Sequence, residues 1–148
     1  MSTAIVIYSK HHGNTRKLVD AIKNENDGIK IVDITENRVV DLNAYDVIGI
    51  ASGIYMGKFN YDLMEFLKEK LPGGKKVFAL FTCGNMSEKY TKEVKVLAEL
   101  RSCKWLGEYG CKGFDTFGPF KLVGGIQKGH PTEEEIQGAV DFYSYLMI

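Results

Sequence analysis

Apolar and polar positions follow two patterns that take turns along the chain. Short runs that are apolar at nearly every position predict strands covered on both faces. These runs occupy residues 3–8, 29–34, 45–52 and 75–82, and a weaker run interrupted by glycines occupies residues 105–114. Between the runs, apolar residues recur every three or four positions, which predicts amphipathic helices.

Four helical faces can be identified between and after these strands. They comprise Leu18, Val19 and Ile22; Leu63, Phe66, Leu67 and Leu71; Tyr90, Val94, Leu97 and Ala98; and Ile136, Val140, Tyr143 and Met147. The last helix has a clear start, because Thr132 and Glu135 stand at the spacing of a capping box. The chain therefore alternates strands with helices almost from its first residue.

This alternation predicts an α/β fold with a parallel sheet and right-handed crossovers. Five strands in 148 residues predict one doubly wound domain over residues 1–148, with strand order 2-1-3-4-5. Ligands of such sheets bind at the carboxyl ends of the strands, where the order reverses beside strand 1. The loops after strands 1, 3 and 4 should therefore meet at one site.

Charge, hydropathy and cysteine content disfavour several classes of function. Lys plus Arg and Asp plus Glu number 19 each, so the chain has neither a nucleic-acid footprint nor a polybasic membrane patch. No apolar run approaches the roughly 20 residues of a membrane helix. The first strand starts at about Thr3, which leaves no room for a signal peptide. Cys83, Cys103 and Cys111 are odd in number and form no CxxC, which favours free thiols and a cytoplasmic protein.

The first loop, "SKHHGNT", leads from strand 1 into a helix, whose N-terminus favours an anion. Gly13 allows close approach of the backbone, and Ser9, Asn14 and Thr15 can add hydrogen bonds. An ordinary cap, with Asn14 or Thr15 capping its own helix, is an equally open interpretation. No lysine stands in a nucleotide P-loop arrangement.

The other two loops add a wall and further donors. In "SGIYMGKFN", Tyr55, Met56 and Phe59 can form a flat apolar wall, although Phe59 is better explained by packing on the next helix. In "TCGNMSE", Thr82 and Asn85 offer side-chain donors beside a glycine, while the alternative is a helix start capped by Ser87. Together the loops predict an uncharged planar ligand with a phosphate tail on the first loop.

Two further chemistries are disfavoured. A zinc site at His11 and His12 conflicts with the pattern, because adjacent side chains point in different directions and no paired cysteines complete the ligand set. A phosphatase-type Cys83 would need an arginine six residues later, where Lys89 stands. Cys83 is better interpreted as a buried or ligand-neighbouring thiol.

The first loop resembles the phosphate loop of the flavodoxin family, T/S-x-T-G-x-T, and the resemblance extends over essentially the whole chain. Gly13, Asn14 and Thr15 match, whereas Lys10 and His12 stand where the family has hydroxyls. The predicted strand order is also that of the family. The resemblance implies FMN as the cofactor, with the phosphate held mainly by the backbone of this loop.

The second loop resembles the flavin loop of the same family. Met56 and Gly57 match, and Lys58 replaces the usual acidic residue. In the family, the glycine carbonyl turns toward the flavin on reduction. The wider segment "IGIASGIYMGKFNYDLMEF" is also similar to flavodoxin-like protoporphyrinogen oxidases.

These patterns select seventeen candidate cofactor-binding residues, with no candidate catalytic residue and no metal ligand. They are Ser9, Lys10, His11, His12, Gly13, Asn14, Thr15, Ser52, Gly53, Tyr55, Met56, Gly57, Lys58, Thr82, Cys83, Gly84 and Asn85. One segment, residues 113–131, is longer than a usual connection. It can form a flap near the cofactor, a partner surface or a folded surface loop.

Two functions stay open. A one-electron carrier between a reductase and an acceptor protein needs no acid–base side chains, because the flavin supplies the chemistry. An FMN-dependent oxidoreductase of a quinone, porphyrinogen or other small molecule is favoured by the neutral net charge, because carriers of the family are typically acidic. A signalling receiver of the same topology is excluded, since it needs acidic residues after strand 1. A flavin-free interaction module requires the first loop to be only a cap.

Overall fold

The computed structural model of the chain describes residues 1–10, 13–114 and 124–148. Two of the predicted cofactor residues, His11 and His12, lie outside the described residues. So do residues 115–123, the central part of the long segment 113–131. Among the helices of the described ranges, none is long and apolar enough to cross a membrane.

Five parallel strands form the predicted sheet. In chain order these are β1 (Thr3–Tyr8), β2 (Lys30–Asp33), β3 (Val47–Tyr55), β5 (Lys76–Cys83) and β6 (Lys104–Lys112), and β4 (Lys58–Phe59) is a short addition. The long strands lie in the order β2-β1-β3-β5-β6, and β4 pairs antiparallel with β3. The α/β fold class and the order of the five long strands are therefore confirmed, while the sixth strand was not predicted.

Helices cover both faces of the sheet. They are α1 (Asn14–Glu25), α2 (Tyr61–Lys70), α3 (Lys92–Leu100) and α4 (Glu133–Leu146), and a 3-10 turn at Leu42–Ala44 was not predicted. One hydrophobic core lies between the sheet and α2 with α3, and the other lies between the sheet and α1 with α4. The predicted capping box is present, since Thr132 Oγ1 accepts from the Glu135 amide and Glu135 accepts from the Thr132 amide.

The predicted second loop is in fact a β-hairpin. β3 continues three residues past the predicted end at residue 52, because Ile54 and Tyr55 pair with the two residues of β4. Met56 and Gly57 form the turn at φ of 53° and 78°. Two consecutive positive φ values characterise the tight turn whose twist matches that of paired strands. Phe59 is buried in the core as predicted.

The start of the third helix also differs from the prediction. α3 begins at Lys92 with Thr91 at the cap position, so Ser87 is not the cap. The Ser87 hydroxyl instead accepts from the Lys89 amide in the preceding turn. Tyr90 lies before the helix and packs edge-on against Phe81 of β5 at a centroid distance of 5.7 Å. Tyr90 is therefore apolar because of its packing against Phe81, and its spacing from Val94 matches a helical face only by coincidence.

Candidate functional site

The carboxyl ends of β1, β3 and β5 are neighbours in the sheet, and a cleft opens where they end. The residues that line it share small or uncharged side chains. They are Ser9, Asn14, Thr15, Gly53, Ile54, Tyr55, Thr82, Cys83, Gly113 and Phe114. Because no side chain in this set is charged, an anion here would be held by neutral donors and by the dipole of α1.

The N-terminus of α1 forms one end of the cleft. Gly13 is the cap residue, at φ 65°, and no side chain of that residue can cap the helix. The alternative interpretation, in which Asn14 or Thr15 caps its own helix, is therefore wrong, since both side chains bond elsewhere. Ser9 partly replaces the cap, because its hydroxyl accepts from the Arg16 amide at 3.3 Å. The helix thus presents its positive end to the cleft without a side-chain cap from its own cap residue.

Two buried hydroxyls meet at this end of the cleft. Thr15 and Thr82 are 0% and 4% exposed, and their Oγ1 atoms lie 2.7 Å apart. In such a pair one hydroxyl donates to the other, so one of the two protons stays available for another acceptor. The pair therefore joins the first loop to the end of β5 and offers a donor that a phosphate oxygen can accept.

Asn14 occupies the other side of the α1 start. Its side chain is buried, with the residue 6% exposed, and its Nδ2 donates to the Phe114 carbonyl at 2.8 Å. Its Oδ1 is buried and has no hydrogen-bond partner among the described residues. A buried unpaired acceptor is unfavourable. A ligand with a hydroxyl beside its anionic group would satisfy this oxygen.

The hairpin supplies the second wall. The Tyr55 ring lies over Gly53, where an added Cβ would be 3.5 Å from the ring. It also packs edge-on against Tyr8 at a centroid distance of 6.0 Å. Gly53 belongs to β3 and pairs with Thr82, so it is part of the sheet and not of a loop. An aromatic surface thus faces the cleft beside the end of the sheet.

The tip of the hairpin is open to solvent, in contrast to its base. Met56 is 84% exposed, and the Lys58 ammonium lies 3.6 Å from a Glu93 carboxylate oxygen in an exposed ion pair. Ser52 is fully buried and its hydroxyl bonds to the Asn60 amide and the Gly53 carbonyl. Ser52 therefore fastens the hairpin to α2, away from the cleft lining.

The third wall follows β5. The Cys83 thiol is buried and lies 3.4 Å from the sulfur of Met86 and 3.6 Å from the Cys111 carbonyl oxygen. Burial raises the pKa of the neighbouring Cys111 thiol to about 12, so that thiol stays protonated at neutral pH. Asn85 is exposed, and its carbonyl accepts from the Tyr90 hydroxyl at 2.6 Å. All three cysteines are free.

The structure brings seven of the predicted residues together in the cleft: Ser9, Asn14, Thr15, Gly53, Tyr55, Thr82 and Cys83. The other described candidates do not line the cleft: Lys10, Gly13, Ser52, Met56, Gly57, Lys58, Gly84 and Asn85. Ile54, Gly113 and Phe114 line it and were not predicted. The last two follow β6, which is not a neighbour of the strand-order reversal, so the topological rule did not select them.

The sequence profile of the flavodoxin domain family matches residues 5–115. The chain is a member of the flavodoxin family. This confirms the resemblance deduced from the first and second loops. The matched range contains the N-terminus of α1, the hairpin and the end of β6, and thus every described residue that lines the cleft.

A relative and several solved structures agree with this membership. An uncharacterised protein of Methanocaldococcus jannaschii is 36% identical over 143 residues, which are 94% of each chain. A Fusobacterium nucleatum flavodoxin solved with flavin mononucleotide superposes with a TM-score of 0.70 at 14% identity, over 99% of this chain and 98% of that one. Oxidised flavodoxin 2 of Bacillus cereus superposes with a TM-score of 0.70 at 17% identity, over the same shares. At these identities the superpositions show the fold.

Proposed function

We propose that this flavodoxin-family chain binds FMN noncovalently in the cleft and carries single electrons between redox proteins. The observation that carries the cofactor assignment is the start of α1. The helix begins without a cap from its own cap residue, the Thr15–Thr82 pair keeps one hydroxyl proton, and Asn14 Oδ1 lacks a partner among the described residues. A phosphate next to a chain of hydroxyls, as in FMN, supplies an acceptor for the first two features and a donor for the third.

The rest of the cleft is lined by side chains of the kind that contact a planar ring. Tyr55 offers an aromatic face, and Ile54 and Phe114 add apolar surface. Two solved proteins of this fold are described as FMN complexes, the Fusobacterium nucleatum flavodoxin and a Lactobacillus acidophilus flavoprotein. When bound, FMN would supply the redox chemistry, while the protein would bind and orient it and exclude water.

The carrier role is supported by the uncharged lining of the cleft. Within the described residues, the cleft has no carboxylate, lysine, arginine or histidine that could move a proton. A carrier requires none. The partners would be a reductase and an acceptor protein, and the three free cysteines support a location in the cytoplasm.

A second candidate is an FMN-dependent oxidoreductase of a quinone, porphyrinogen or other small molecule. It is favoured by the balanced charge of 19 basic and 19 acidic residues and by the exposed Lys58 beside the cleft. This composition gives the chain no net negative charge that would attract a basic partner. The two functions differ in whether a small molecule is turned over.

The test begins with titration of the apoprotein with FMN, riboflavin and FAD, followed by flavin fluorescence. FMN should bind on the order of 100-fold more tightly than riboflavin, because only FMN offers a charged phosphate to the donors of α1. Equal affinities for FMN and riboflavin would contradict the phosphate assignment. A stepwise reductive titration of the loaded protein then separates the roles. Two resolved one-electron steps support the carrier. Without a protein partner, steady reduction of a quinone by NAD(P)H, or steady oxidation of a porphyrinogen by a supplied electron acceptor, supports the oxidoreductase.

A further inference from the structure

Residues 113–114, directly after β6, are held against the cleft by three hydrogen bonds. The Gly113 amide donates to the Cys83 carbonyl at 2.9 Å, and the Phe114 amide donates to the His130 carbonyl at 3.0 Å. The Phe114 carbonyl accepts from Asn14 Nδ2 at 2.8 Å. Two of these contacts lead to loops that carry the proposed FMN site. The segment is therefore built into the cleft, although β6 lies two strands away from β3.

The fit between this segment and Asn14 is close. A Cβ added to Gly113 would lie 2.7 Å from Asn14 Nδ2 and 2.9 Å from its Cγ, distances that force the amide to move. Gly113 does not adopt a positive φ, so a side chain there would not strain the backbone by itself. The glycine is required at this position by the Asn14 amide and not by the conformation of the chain.

The nitrogen and the oxygen of the Asn14 side-chain amide have different surroundings. Its nitrogen donates to Phe114, and its buried oxygen has no partner among the described residues, while Asn14 is one of the residues that line the cleft. Because the amide is planar, the direction of the nitrogen determines the direction of the oxygen. A displacement of residues 113–114 would therefore turn the oxygen away from its position in the cleft.

We propose that residues 113–114 form a fourth wall of the FMN site, and that Gly113 is a positioning residue that acts through the Asn14 amide. This inference rests on the proposed function. Asn14 links a ligand in the cleft to the segment after β6, so FMN and this segment stabilise each other. The linkage is reciprocal, since a segment that improves ligand binding is itself held more firmly by the ligand.

The experiment is a double-mutant cycle on FMN affinity with Asn14→Ala, Gly113→Ala and the double variant. Each single change should weaken FMN binding by about 2- to 10-fold, the range for one hydrogen bond. The double variant should bind nearly as Asn14→Ala does, because alanine at position 14 removes the two atoms closest to the new methyl group and leaves only the Cβ, at 3.0 Å. Gly28→Ala is the matched control, because Gly28 has open space around it and no positive φ. It should bind FMN as the wild type does.

A second measurement needs no variant beyond these. Saturating FMN should slow hydrogen exchange of the Gly113 and Phe114 amides in the wild type, and less so in Asn14→Ala. The linkage would be overturned if Gly113→Ala bound FMN as tightly as the wild type does. It would also be overturned if the loss of affinity in the double variant equalled the product of the two single losses, or if FMN left the exchange rates of the two amides unchanged. A wild-type protein that does not bind FMN would instead overturn the proposed function, and the linkage with it.

Discussion

The N-terminus of α1 and the tip of the β3–β4 hairpin flank the same cleft but are built in opposite ways. At α1, Asn14 and Thr15 are buried and their side chains bond to residues 100 and 67 positions away. At the hairpin tip, Met56 is 84% exposed and Lys58 forms a surface ion pair. At the α1 end of the proposed FMN site the side chains are buried and hydrogen-bonded to distant residues, whereas at the hairpin end they are exposed to solvent.

This difference would separate two tasks of the proposed flavin carrier, which are to bind the flavin and to adjust its reduction potentials. Binding is favoured by donors that are already in place, because their ordering cost is met on folding and not on association. At the hairpin tip, a Cβ built on Gly57 would have no atom within 4 Å. The peptide at this turn can therefore change its orientation with little steric resistance. We therefore expect substitutions at α1 to change FMN affinity, and substitutions at the hairpin tip to change reduction potentials.

The largest effect is expected for Thr15→Val. This change removes one hydroxyl of the Thr15–Thr82 pair while keeping the shape of the side chain. FMN binding should weaken by about 10- to 100-fold, the range for a hydrogen bond to a charged group. The apoprotein should lose about 1–3 kcal/mol of unfolding free energy, because the Thr82 hydroxyl stays buried without its partner. Fluorescence titration and urea unfolding measure the two quantities.

The double variant Thr15→Val with Thr82→Val is the control for this prediction. Replacing both partners by apolar groups of the same shape is nearly neutral for stability. The double variant should therefore regain most of the stability that Thr15→Val loses, while FMN binding stays weak. Restored FMN affinity in the double variant would show that the hydroxyls serve folding alone.

A matched pair of glycines tests the comparison directly. Gly13 and Gly57 have φ values of 65° and 78°, and neither has an atom within 4 Å of an added Cβ. Alanine at either position should therefore cost a similar amount of unfolding free energy, about 1–2 kcal/mol, through the left-handed backbone alone. Gly13→Ala should also weaken FMN binding. Gly57→Ala should leave the affinity nearly unchanged and narrow the gap between the two one-electron potentials.

Chemical unfolding, fluorescence titration and a spectroelectrochemical titration of both variants provide the data. The division between the two ends of the site would be wrong if Gly57→Ala weakened FMN binding as much as Gly13→Ala. It would also be wrong if Gly13→Ala alone shifted the potentials. Similar stability losses in both apoproteins are required for the comparison to be valid.

The smallest effect is expected for Lys58→Glu. The Lys58–Glu93 pair is exposed, with side chains 71% and 44% accessible, so its loss should change the unfolding free energy by less than about 1 kcal/mol. The added negative charge should lower the potential of the second reduction step more than that of the first, because it disfavours an anionic reduced flavin. The shift should shrink as salt is added.

Lys30→Glu makes the same charge change at the amino end of β2, at the end of the sheet opposite the cleft. Potentials measured at low and high ionic strength should respond to Lys58→Glu and not to Lys30→Glu. An equal response to both would show that net charge, and not the position of Lys58, sets the shift.

The sequence was most informative where one local interaction decides the structure. The buried strands contain apolar residues at nearly every position, so their places along the chain follow from the pattern. The capping box of α4 follows from two residues three positions apart. The first loop could be placed at the cleft because the end of β1 adjoins the strand-order reversal in a sheet of this kind.

The sequence was less informative where residues had two possible partners. Asn14 and Thr15 are good helix caps in isolation, yet neither caps α1, because Phe114 and Thr82 compete for their side chains. The pattern predicts a loop where the hairpin lies, because the turn contains a methionine and few non-glycine residues adopt a positive φ. The first of these differences arises from contacts between residues far apart in the chain, which no local pattern contains.

The sequence by itself determines where the strands lie along the chain, because burial on both faces of a sheet requires apolar runs. Their alternation with helices then predicts the strand order and the place of the cleft. Only the tertiary structure places Gly113 and Phe114 in the cleft, pairs Thr15 with Thr82 and leaves Asn14 Oδ1 without a partner among the described residues. These features depend on the distance between residues far apart in the chain. The distances between these residues are determined by the packing of the sheet and the helices, and the spacing of residues along the sequence does not reveal them.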